Sequence, residues 1–165
     1  MRYEEKGSRN KLLSKVVDKN MEKIAVLFKE RTKKSQFGDC ILWTGYVDKF
    51  GYGKLHISYV FGVHQIAYTV SNGEIPKNLV VDHLCRNRCC VNTDHLRLIT
   101  QKENILCGAG PTAINSRKEK CSNGHPFSEE NTAIINNTKQ NRKFRICRIC
   151  RRANLKKWRA KQCQL

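Results

Sequence analysis

The chain has 165 residues, room for one ordinary domain or a small domain with appendages. Hydrophobic residues make up 39% and aromatics 8%, thin for a large apolar core, so other staples are expected. A formal net charge of +18, with no apolar stretch resembling a signal peptide or a membrane span, argues against secretion and excludes a membrane protein.

The charge is uneven. Residues 41–114 carry seven basic and five acidic side chains, whereas residues 1–40 carry eleven and six, and residues 115–165 fourteen and three. From Arg142 to Lys161 there are ten Lys and Arg and no acid. A near-neutral middle between basic ends suits work on a polyanion held by its flanks, and nucleic acid is the expected partner. Nine cysteines lie beside histidines at ligand spacing, which points to metal-bound thiolates in a reducing compartment rather than to a disulfide framework.

In chain order, Leu13, Val17, Met21, Ile24 and Phe28 mark one face of an amphipathic helix over residues 10–33. Residues 40–60 read as strand, turn, strand, interrupted by Gly45, Gly51 and Gly53. Val63 to Val70 suits either a short helix or a strand. Glu74-Ile75-Pro76 is a turn, and Leu79-Val80-Val81 is a short strand running into Asp82. A helix is expected from Thr100 onward, and Gly108-Ala109-Gly110-Pro111 reads as a linker. The end, RRANLKKWRAKQ, looks like a basic helix. The expected division is a basic helical segment 1–37, a core 38–107, a linker 108–118 and a basic metal-binding lobe 119–165.

The stretch Asp82 to Thr100 packs two histidines, three cysteines, two carboxylates and two asparagines into nineteen residues. Burying so many polar groups is costly unless an ion organises them. Cys85, Cys90 and His95 are spaced by five and five, and Cys40 is the best isolated candidate for a fourth zinc ligand; spacing alone does not separate Cys89 from Cys90. A second set is simpler: Cys121-x₃-His125 and Cys147-x₂-Cys150 supply four tetrahedral ligands for another zinc. Asp82 and His83 belong to neither set. At the end of a strand, such a pair can divide phosphodiester hydrolysis between a hard oxygen ligand for Mg²⁺ and an imidazole base.

With Asp82-His83, Asn92 and His95 in place, the segment resembles the HNH, or ββα-metal (His-Me finger), endonucleases. It is most similar to the zinc-containing HNH endonucleases of bacteriophages and to the His-Cys box homing endonucleases. The likeness runs through DCILWTG with Gly51-Tyr52-Gly53, through VVDHLCRNRCCVNTDHLRLIT and into both cysteine pairs of the C-terminal lobe, covering most of residues 38–152.

The resemblance implies an α+β fold in which a small ββα-metal core is stapled by zinc, with an N-terminal helix and a C-terminal zinc-binding basic lobe. It implies that His83 is the general base, that Asp82 and Asn104 hold a catalytic Mg²⁺ or Mn²⁺, and that Asn92 fixes the loop and, with it, the His83 ring. Among the zinc ligands it favours Cys90 over Cys89, beside Cys40, Cys85 and His95. The implied activity is one-metal hydrolysis of double-stranded DNA in a bacterial or phage-infected cytoplasm, leaving 5′-phosphate and 3′-hydroxyl; a monomer nicks, and a homodimer makes a double-strand break. DNA contacts are expected from Arg86 and Arg88 on the loop and from Arg142, Lys143, Arg145, Arg148, Arg151, Arg152, Lys156, Lys157 and Arg159 in the lobe. The competing reading is a non-catalytic zinc module that binds DNA or RNA. His56, His64, Cys107 and Cys163 receive no role.

Overall fold

A computed structural model describes residues 3–138 and 142–162, with side chains of 3–8 and of Arg142 outside the description. The chain divides into two compact units, Met1–Gly108 and Ala109–Leu165.

In the first unit the expected N-terminal helix is broken in two, α1 (Tyr3–Lys19) and α2 (Met21–Glu30). Asn20 sits at the break with φ −125°, and its side-chain amide turns back to donate to the Val16 carbonyl at 2.8 Å. Asn competes with helical hydrogen bonding in this way. The break rotates the apolar face: Leu13, Val17 and Ile24 are buried, but Met21 is exposed.

The expected strand, turn and strand over residues 40–60 are present, but the two strands do not form a ladder with each other. β2 (Ile41–Trp43) pairs backward with β1 (Thr32–Lys34), whereas β3 (Lys54–His56) pairs forward with β4 (Val60–Gly62). Between them Asp48 accepts from the amides of Phe50 and Tyr52 at 2.9 and 3.0 Å, closing a side-chain-built turn that leaves a single bridge, Val47 to Gly53. Gly53 has no substitute: a Cβ there would stand 2.6 Å from Val63 Cγ2. The ambiguous segment is helical, α3 (Val63–Asn72), with Val63, Ile66 and Ala67 in the core.

Then follow β5 (Leu79–His83), a loop ending in a 3₁₀ turn at Thr93–His95, β6 (Leu96–Thr100) and α4 (Gln101–Cys107). β5 and β6 are antiparallel, from Leu79 opposite Thr100 to His83 opposite Leu96. Thr100 starts α4 with a capping box: its hydroxyl accepts from the Glu103 amide at 3.2 Å, and Glu103 accepts from the Thr100 amide at 2.8 Å. This β5–β6–α4 element is the ββα core of a mixed α+β fold. One cluster joins Leu13, Val17 and Ile24 to Trp43, Phe61, Ile66, Val81 and Leu96, so the N-terminal helices share the core that carries β5.

The second unit begins with α5 (Pro111–Arg117), a helix where a linker was expected; Pro111 opens it, and Ala113 is fully buried. A hairpin of β7 (Thr132–Asn137) and β8 (Arg142–Cys147) leads into α6 (Arg148–Gln162), the expected basic helix. The buried residues described in this unit are Ala113, Asn131 and Cys147.

Because Leu13 is 1% exposed in the common core, Leu13→Ala should cost the first unit about 2–5 kcal/mol. Urea unfolding would report it, and a neutral result would mean that α1 does not contribute to that core.

Candidate active site and metal centres

Asp82 and His83 end β5, and both are buried. The His83 ring places Nε2 3.1 Å from the Cys90 carbonyl. A carbonyl only accepts, so Nε2 carries the proton and Nδ1 keeps its lone pair. Burial holds this imidazole below its ordinary value, against the opposing effects of the Cys90 carbonyl and Asp82. The ring is therefore a neutral base at neutral pH.

Asp82 is braced by arginines. Its Oδ2 accepts from Arg97 Nε and Nη2 at 3.1 and 3.0 Å, while Oδ1 lies 3.5 Å from Arg86 Nη1. Arg97 stands directly opposite Asp82 in the strand register, which no motif spacing announces. Arg86 has φ 59°, a left-handed conformation unusual for a side-chain-bearing residue, and its guanidinium also donates to the Cys107 carbonyl at 3.1 Å. Arg88 is engaged within the fold as well, donating to the Phe50 carbonyl and stacking 5.1 Å from the Tyr52 ring.

Two further rings reach His83. His64 lies 4.8 Å from it, centroid to centroid, and Tyr52 lies 6.3 Å away. His64 approaches because Gly62 precedes α3: a Cβ at Gly62 would meet the His64 ring at 2.7 Å. Burial, and then the facing His83, push His64 down to about 3. Linear spacing offers no sign that residues 52, 64 and 83 share a site, so sequence reasoning passed over Tyr52 and Arg97 and left His64 idle.

Asn104 lies half-buried on α4, which packs on β5 and β6. Asn92 ties two segments: its Oδ1 caps the 3₁₀ turn by accepting from the Asp94 amide at 3.2 Å, and its Nδ2 donates to the Asp39 carbonyl at 2.8 Å.

Cys40, Cys85, Cys90 and His95 bring their ligand atoms within 4.8 Å of one another. His95 Nδ1 lies 3.5 Å from Cys40 Sγ and 3.6 Å from Cys90 Sγ. Cys89 points elsewhere, its thiol 3.5 Å from the Gly51 carbonyl. Cys121, His125, Cys147 and Cys150 form a matching group, with separations of 3.5 Å from Cys121 to His125 and 3.2 Å from His125 to Cys150. A tetrahedral ion with sulfur ligands at about 2.3 Å would set neighbouring donors roughly 3.8 Å apart, so both groups fit one ion each.

The thiols themselves want a cation. Burial, followed by hydrogen bonds to Cys85 and Cys90, pushes Cys40 up to about 12. Burial also raises Cys147, but the Cys150 amide and Asn131 outweigh it and bring that thiol to about 6. Cys40 therefore gives up its proton readily only when an ion offsets the repulsion of its neighbours, whereas Cys147 already leans toward the thiolate that a metal binds.

In the C-terminal unit, Arg145 packs 4.0 Å over the Phe127 ring and donates to the carbonyls of Asn115 and Lys118, both at 2.8 Å. Arg148 donates to the Thr132 carbonyl at 3.1 Å. Lys143, Arg151, Arg152, Lys156, Lys157 and Arg159 are exposed; the Arg142 side chain and Cys163 lie outside the described residues.

A family model described as HNH endonuclease matches residues 61–106, the span from β4 to α4. Protein 2.8 of Escherichia phage T7 is 32% identical over 106 residues, 64% of this chain and 69% of that protein. The chain belongs to the HNH endonuclease family. Protein 7.7 of the same phage is 40% identical over 67 residues, and the gene 5.3 protein of Enterobacteria phage T3 is 35% identical over 46 residues. The HNH chain spans about half the length of these two, 52% and 46%, and covers them with 40% and 28% of its own residues. No solved structure matches it with significance. Among the described residues no helix is long and apolar enough to cross a membrane.

Asn92→Ala removes both ties of the loop and should cost about 1–2 kcal/mol of stability, read from the unfolding midpoint. An unchanged midpoint would mean that the loop is held without it.

Proposed function

We propose that this HNH protein is a DNA endonuclease that hydrolyses phosphodiester bonds with His83 as general base. The observation that carries the reading is the 3.1 Å approach of His83 Nε2 to the Cys90 carbonyl: the carbonyl can only accept, which leaves Nδ1 to take a proton from water. Asp82 Oδ1, bonded only weakly by Arg86, and the side-chain oxygen of Asn104 on α4 are hard donors suited to Mg²⁺ or Mn²⁺. When bound, such an ion offsets the charge that builds on the phosphate and the leaving 3′-oxygen. Arg97 keeps the carboxylate oriented, and Asn92 keeps the loop behind Cys90 in place. The products are a 5′-phosphate and a 3′-hydroxyl.

The two Cys/His groups hold structural zinc in this reading, for three sulfurs and one imidazole nitrogen form a closed donor set with no position left for substrate. The basic C-terminal unit supplies salt-dependent grip on double-stranded DNA. A single chain nicks; two chains together cut both strands. Its place of action is the cytoplasm of a phage-infected bacterium, as the phage origin of the relatives supports.

A plasmid-nicking assay in Mg²⁺ tests the chemistry. Wild type should relax supercoiled DNA, and His83→Ala should lose about 10²–10⁴-fold in rate with its fold and metal content intact. A non-catalytic zinc module would bind but never nick, and undiminished cutting by His83→Ala would refute the assigned base.

The metals give a separate check. Elemental analysis should find about two zinc ions per chain, and Cys147→Ser should lose one together with the cooperative unfolding of the C-terminal unit. Full zinc content in Cys147→Ser would overturn the second site.

A further inference from the structure

The helix α6 buries none of its described side chains, yet it carries three large apolar ones, Ile149, Leu155 and Trp158. Arg151, Leu155 and Trp158 follow the i, i+4, i+7 pattern of a single helical stripe. With Lys143 and Phe144 of β8, this stripe lines the outer part of an open groove whose floor reaches Cys121, Cys147 and Cys150 of the second metal group. Phe144 is 47% exposed and Trp158 59%. The third aromatic of the groove, Phe127, is already covered by Arg145. No carboxylate lines the groove.

Exposed rings between cations narrow the choice of partner. Lysine and arginine attract phosphates of any nucleic acid, but a ring gains little from a phosphate and much from the flat face of a base. In a duplex those faces are stacked inside, out of reach. The combination therefore favours a strand whose bases are unpaired. We propose that the groove between β8 and α6 binds single-stranded DNA, with one base stacked on Trp158, another on Phe144, and the intervening phosphates on Lys143 and Arg151. Resting on the nuclease reading above, this assigns the enzyme a substrate class, DNA that carries an unpaired stretch such as a flap, a gap or a frayed end.

The test is run on the full zinc-loaded His83→Ala chain without Mg²⁺, so that binding is read apart from cutting. The chain has two tryptophans, and Trp43 is buried at 4% exposure, so quenching of the exposed fluorophore reports on Trp158. A short oligothymidylate should quench it on binding. Trp158→Ala should weaken oligothymidylate about ten-fold, while a duplex of the same length changes by less than about two-fold. Trp158→Phe should keep most of the affinity and lose the quench.

Equal losses for single strand and duplex would overturn the proposal, as would an oligothymidylate affinity that ignores Trp158→Ala. Should that variant fail to fold, Lys143→Ala with Arg151→Ala decides instead. The salt slope for oligothymidylate should then fall by about 1.4, the value for two phosphate contacts on a single strand, and an unchanged slope refutes the groove. A wild-type chain that never nicks plasmid would sink the catalytic reading without touching these binding results.

Discussion

Cys90 makes two bonds on which the first unit depends. Its sulfur belongs to the Cys40–Cys85–Cys90–His95 group, and its carbonyl accepts a hydrogen bond from His83 Nε2. Whatever fixes the sulfur therefore fixes the tautomer and the tilt of the imidazole. The backbone around it is stitched to β2, with the Trp43 amide donating to Cys89 and the Val91 amide to Ile41, both at 2.8 Å. The loop is short of apolar side chains, so these bonds and the thiol–imidazole group do the work that burial performs elsewhere.

The same economy governs the second unit. Its described buried residues are one alanine, one asparagine and one cysteine, too little apolar area to offset the entropy of ordering more than forty residues. Asn131 makes up part of the deficit by bonding the Pro126 carbonyl, the Ile149 amide and the Cys147 sulfur at once. An ion held by Cys121, His125, Cys147 and Cys150 would close a loop across the β7–β8 hairpin, and in such a unit metal binding and folding would be one event.

Much of this was legible beforehand because ligand spacing is local. Cys121-x₃-His125 and Cys147-x₂-Cys150 are read within a few residues, and so are Asp82-His83 and the helical run that follows Thr100. Pairings between distant segments were not. β1 is Thr-Lys-Lys, with no apolar alternation to betray a strand, and it forms only because Thr32 and Lys34 find Trp43 and Ile41 across the ladder. Asn20 broke a pattern that looked continuous, since a side-chain bond to the preceding turn leaves no trace in hydrophobic spacing. His64 reaches His83 only after α3 and β5 have packed together.

Asp82 illustrates how the two kinds of information meet. A buried carboxylate needs partners, and its sequence neighbours supply only Arg86, whose bond at 3.5 Å is weak. The stronger partner, Arg97, arrives through the β5–β6 register and takes Oδ2 with two nitrogens. One oxygen is thereby fixed and the other left lightly held. That asymmetry suits the proposed role as an oxygen ligand, because a carboxylate satisfied at both oxygens has little to offer a cation. The register of two short strands, rather than any motif, therefore brings Asp82 its stronger partner.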